Sequence, residues 1–114
     1  MFKYSKEHNG YVAKIGSVSF LCEEVSDEME EQAMRLAECY EEKLPEIIDF
    51  ILPELKDVFG ELTSEEVEEA LGSPLVDLDT EMIMYLEQTL DELHEIDVEY
   101  GGDFDEIYNV SIDG

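Results

Sequence analysis

Period-two apolar alternation at both ends of the chain, helical spacing through its middle and turn residues at the junctions predict an α+β fold. The expected architecture is an N-terminal β-hairpin or meander, two to four helices, and C-terminal antiparallel strands forming one sheet packed on the helices. At 114 residues the chain fits a single acidic domain, 1–114, and 44% hydrophobic residues mark it as folded rather than as an acidic tail. No repeat, linker or low-complexity block divides it.

Residues 2–23 read as strands, because Tyr11, Ala13 and Ile15 alternate with Val12 and Lys14, and Val18, Phe20 and Cys22 with Ser19 and Leu21. His8-Asn9-Gly10 and Gly16-Ser17 supply the turns, and Asn9-Gly10 accepts the positive φ of a tight hairpin. Ser26 reads as a helix N-cap, followed by Asp27 and Glu28 where the helix dipole favours negative charge. Met29, Ala33, Leu36, Ala37, Tyr40 and Leu44 recur at helical spacing, and a denser stripe continues through Ile47, Ile48, Ile51, Leu52, Leu55, Val58 and Phe59. Pro45 and Pro53 interrupt this stretch, so two or three helical pieces are expected rather than one rod, ended by Gly60. Thr63 and Glu66 have capping-box spacing for a short helix from about Ser64 to Leu71, stopped by Gly72-Ser73-Pro74.

Beyond Pro74 the period is ambiguous. Val76, Leu78, Met82, Met84 and Leu86 suit strands, while Met82, Ile83, Leu86, Leu90 and Leu93 suit a helix, so residues 80–93 stay open between the two. The end reads as a hairpin: Ile96, Val98 and Tyr100 alternate with Asp97 and Glu99, Gly101-Gly102 break the run, and Tyr108, Val110 and Ile112 alternate with Asn109, Ser111 and Asp113. One face of that hairpin is apolar and the other acidic.

Thirty-two Asp or Glu stand against six Lys or Arg, a formal net charge of −26. Residues 1–20 carry Lys3, Lys6 and Lys14 against Glu7, a net of +2, and the remainder carries three cations against 31 acids, a net of −28. Such an excess attracts basic partners over long range and argues against direct nucleic-acid binding or an anionic membrane, since neutralising phosphate takes Lys and Arg. No apolar run approaches a membrane span, and the first residues hold no signal-peptide apolar region, so a cytoplasmic protein is expected. Cys22 and Cys39 make no disulfide framework and no metal-ligand pair, and reduced thiols are the favoured reading.

The stretch Leu71-Gly72-Ser73-Pro74-Leu75-Val76-Asp77-Leu78-Asp79, and the tail from Tyr85-Leu86-Glu87-Gln88-Thr89-Leu90-Asp91 to Ile112-Asp113-Gly114, resemble small acidic bacterial proteins of an uncharacterised family. The shared pattern is a His, apolar alternation, an acidic turn and a Ser-Ile-Asp-Gly ending. The resemblance implies an α+β fold whose second half is mostly β, tips residues 82–88 toward strand, and implies no catalytic activity. In size and charge the chain is also similar to immunity proteins of bacterial toxin systems.

Catalysis finds little support in the residues. Carboxylate pairs are too abundant to mark a site, and acid–base work needs a carboxyl set in a pocket, which runs such as Glu65-Glu66 and Glu68-Glu69 on a helix face do not suggest. Asp77/Asp79 and Asp103/Asp105 are the places for a cation, but an EF-hand loop begun at Asp103 puts Tyr108 sixth and Gly114 twelfth, and His94-Glu95 is followed by Val98 where a zinc motif needs His. No cofactor and no dedicated metal site are expected. Cys22 or Cys39 could pair with His8 or His94, yet acidic surroundings raise a thiol's pKa and disfavour the thiolate.

The expected activity is therefore stoichiometric binding of a basic protein, as an immunity protein covering a cognate nuclease-type toxin domain. The partner-binding residues expected are Asp97, Glu99, Asp103, Asp105 and Glu106 of the acidic hairpin, with Phe104, in the turn, as an exposed aromatic anchor. Tyr100 and Tyr108 flank that turn, and the alternation places both on the core face. A second reading is a nucleic-acid mimic of the anti-restriction or anti-CRISPR type, using carboxylate rows on helix faces 27–44 and 61–71, against which the N-terminal lysines argue. A third is an uncharacterised cytoplasmic domain without such a partner.

Overall fold

In the computed structural model, which describes residues 1–113, seven strands form one mixed sheet and two helices cover one of its faces. Gly114, which closes the Ser-Ile-Asp-Gly ending, lies outside the described residues. The strands are β1 (Lys3–Ser5), β2 (Gly10–Ile15), β3 (Val18–Cys22), β4 (Leu75–Asp77), β5 (Met82–Tyr85), β6 (Glu95–Gly101) and β7 (Glu106–Asp113), and they lie side by side in chain order. Between β3 and β4 come α1 (Asp27–Phe59) and α2 (Ser64–Leu71).

All neighbouring strands pair antiparallel except β3 and β4, which run parallel with Phe20 opposite Val76. A parallel pair needs a long crossover, and α1 with α2 supplies it. This pairing joins the N-terminal meander and the C-terminal strands into one sheet, where the sequence reading kept them separate. The core face of the sheet carries Ala13, Phe20, Val76, Ile83 and Val98, each at most 2% exposed.

Helix α1 is a single helix of 33 residues, which corrects the expectation of two or three pieces. Its caps are as read: the Ser26 side chain accepts from the Met29 amide, and Gly60 ends the helix at φ 88°. Pro45 and Pro53 lie inside it, each removing one ladder hydrogen bond at roughly 3 kcal/mol. Against that stand Ala33, Leu36, Tyr40, Ile47, Ile48, Ile51 and Leu55, all buried on one stripe that crosses both prolines. Burying one large apolar side chain is worth about 1.5–3 kcal/mol, so continuity of the stripe outweighs the breaks. The short α2 carries the complete capping box of Thr63 and Glu66.

Residues 82–85 are strand, and the chain beyond Tyr85 is a loop rather than helix. Gln88, 7% exposed, organises that loop. Its amide nitrogen donates to the Asp91 and His94 carbonyls and its oxygen accepts from the Leu90 amide, which substitutes for a helical ladder.

The C-terminal hairpin departs from strict alternation at one point. Ile96, Val98 and Tyr100 face Ile112, Val110 and Ile107, with a bulge between Glu99 and Tyr100. The extra residue is Tyr108, so Ile107 takes the core-side place expected of Tyr108, which is 59% exposed. Tyr108 lies over Gly101, where an added Cβ would sit 2.9 Å from a ring carbon of the tyrosine.

Candidate functional site

The face of the sheet turned away from α1 carries no secondary element among the described residues. Strand register assigns its side chains. Lys3 and Lys14 stand at the β1–β2 margin, Val12, Leu21, Leu75, Met82 and Met84 occupy the middle together with Ser19 and Asp77, and Glu95, Asp97, Glu99 and Asp113 form the β6–β7 margin. The apolar residues of the middle are partly exposed, apart from Leu75 at 7%. Two hollows of about 280 and 260 Å³ open there, one over Val12, Ser19 and Leu75 and one beside Leu21, Asp77 and Asp79, and His8 borders both.

At the acidic margin Asp97 lies between Met84 and Ser111, with Glu95 and Asp113 next to it along the strands. Carboxylate oxygens of Glu95, Asp97 and Asp113 all fall within 4.8 Å of one another. Burial raises the Asp97 carboxyl to about 7, helped by its hydrogen bond to Glu95 and by the charges of Glu95 and Asp113. Its Oδ1 is buried without a hydrogen-bond partner. Such a trio can share a proton or meet a cationic group, and its oxygens are the type that hard cations take.

The six residues expected to contact a partner divide three ways. Asp97 and Glu99 lie on the open face, as the acidic-face pattern predicted. Asp103 and Asp105, at the hairpin turn, reach back to α1: Asp103 lies 3.7 Å from Arg35, and Asp105 lies 3.0 Å from Lys43. The Lys43 ammonium holds the Asp105 carboxyl below its ordinary range. Glu106 accepts a hydrogen bond from the Tyr108 hydroxyl beside it.

Phe104 is not an exposed anchor, and this corrects the sequence reading. It is 1% exposed, stacked edge-on to Tyr40 at 5.8 Å and tilted against Tyr100 at 4.7 Å. A left-handed φ of 65° turns its side chain inward from the turn. The ring fills the end of the core, so it holds the hairpin to α1 instead of meeting a partner. Glu95 and Asp113 were the residues missed, although pairing Ile96 with Ile112 in sequence already places them opposite each other.

The remaining candidates are structural. Asp77 accepts from the amides of Asp79 and Thr80, and Asp79 accepts from the Glu23 amide, so both carboxylates tie the β4–β5 turn. Both thiols are pushed up, first by burial and then by nearby Asp side chains, the direction that disfavours a nucleophile. His94 bonds through Nδ1 to Asp91 and packs its ring edge against Phe59. Burial works to raise the Asp91 carboxyl, but hydrogen bonds from His94, Gln88 and Leu93 outweigh it and hold the group at about 2. No family model, curated protein or solved structure matches this chain.

Proposed function

We propose that this chain is a non-enzymatic acidic binding protein that covers a basic partner protein, as the cytoplasmic immunity partner of a nuclease-type bacterial toxin. One observation carries the reading. Among the described residues Asp91, Asp103 and Asp105 are the acids in ion pairs, so almost all of the negative charge faces outward uncompensated. A nuclease presents Lys and Arg to phosphate, and an acidic protein gains both steering and occlusion from that surface. No helix of the described residues is long and apolar enough to cross a membrane, which fits a partner met in solution.

The test is to mix the purified protein with the basic C-terminal domain of a toxin encoded next to its gene. A complex of low-nanomolar or tighter affinity is expected, with an association rate that falls steeply as salt is added. Absence of a salt-sensitive complex would discard the toxin reading. Displacement of the protein by duplex DNA from a host nucleic-acid enzyme would favour mimicry of nucleic acid instead.

A further inference from the structure

The acidic helical exterior and the open sheet face differ in a way that charge alone does not capture. Exposed apolar residues on α1, such as Met34, Phe50 and Val58, are scattered among carboxylates. On the sheet, Val12 pairs with Leu21 and Leu75 with Met84. Leu75 stands two residues before Asp77, the cross-strand partner of Leu21, and Met82 two before Met84, so these apolar residues form a diagonal band with Asp77 at its side. That band runs between four carboxylates at one margin and two lysines at the other, and none of these six is in an ion pair among the described residues. Contact area that excludes water, flanked by unpaired charge, is what a slowly dissociating interface needs.

We propose that the open sheet face is where the partner docks, taking an amphipathic segment laid across the strands. Its Lys or Arg side chains sit over Glu95, Asp97, Glu99 and Asp113, and its apolar side chains cover the band from Met84 to Val12. Lys3 and Lys14 repel cations at the far margin and so fix which way round the segment lies. This assignment rests on the basic-partner reading and adds the surface, the polarity and the need for apolar contact. A second copy of the chain is the poorer occupant, because two molecules of −26 repel each other and only the two lysines of one copy would answer the four carboxylates of the other.

The probe is a synthetic peptide of alternating leucine and lysine, with a control of equal charge in which serine replaces leucine. Both are titrated into ¹⁵N-labelled protein at about 0.15 M salt, where the screening length is about 8 Å. Binding of the leucine peptide should be roughly tenfold or more tighter than the control, a difference of one decade in Kd. Its shifts should be confined to β2–β7 residues of the open face. Met84→Ser and Leu21→Ser should each narrow the difference, while Met34→Ser on α1 leaves it unchanged. Equal affinity for the two peptides, or shifts on α1, would overturn the docking surface and leave the basic-partner reading standing. Failure of both peptides to bind even at low salt would remove that reading as well. Concentration-dependent self-association abolished by Met84→Ser, seen by sedimentation, would assign the face to a second copy and overturn the proposal.

Discussion

Truncating Phe104 to alanine should lower stability by about 3–5 kcal/mol, read as a shift of the urea midpoint, because the ring fills the space between Tyr40 and Tyr100. Two buried tyrosines give a matched comparison nearby. Tyr40 and Tyr85 share a hydrogen bond of 2.6 Å between their hydroxyls, and burial pushes Tyr40 up to about 12. Tyr85→Phe leaves the Tyr40 hydroxyl without that partner and should cost about 1–3 kcal/mol. The Tyr100 hydroxyl is buried without a partner, so Tyr100→Phe should be neutral or stabilising in the same assay. Asp97 gives a pH signature. Its carboxyl is raised from 3.8 to about 7, so between those values the folded state holds a proton that the unfolded chain releases. The fold is thus penalised progressively as pH climbs through that window. Asp97→Asn should match the parent near pH 4, then gain on it up to about pH 7 and stay ahead above, as followed by thermal unfolding across pH.

At the scale of elements, the loop after β5 depends on one side chain. Gln88→Ala removes the bonds to Asp91, His94 and Leu90, and should speed amide exchange at Leu90, Leu93 and His94 while leaving β5 and β6 protected. Much at this scale was legible in sequence. The alternation of Val18, Phe20 and Cys22 and of Ile96, Val98 and Tyr100 named buried residues correctly, and Ser26, Gly60 and Thr63 marked helix ends. What stayed hidden were relations between distant segments. Period two says that Val76 is in a strand but not that Phe20 lies beside it in parallel. Proline rules describe a local cost at Pro53, while the stripe that overrides it is a property of the whole sheet face beneath α1. Phe104 looked exposed because its ring partner Tyr40 lies on a different element.

For the whole molecule, the sign of the charge is partitioned in space as well as along the chain. The net +2 of residues 1–20 places Lys3 and Lys14 on one margin of the open face, and the net −28 of the rest dominates everything else. Self-repulsion at −26 should make the fold salt-stabilised: raising salt from about 0.01 to 0.15 M shortens the screening length from about 30 to 8 Å. Thermal unfolding should shift upward by about 3–6 °C for each kcal/mol of repulsion removed. A melting point indifferent to salt would mean that the carboxylates scarcely sense one another in the fold.

The bulge at Tyr108 has a consequence for how this chain tolerates changes of length. Losing residue 108 alone would leave Ile107 opposite Tyr100 and Asn109 opposite Glu99, closing a regular ladder. Losing residue 111 instead would shift the phase of the strand and turn either Val110 or Ile112 away from the core side. Single-codon deletions in β7 should therefore survive at 108 and be rejected at 111.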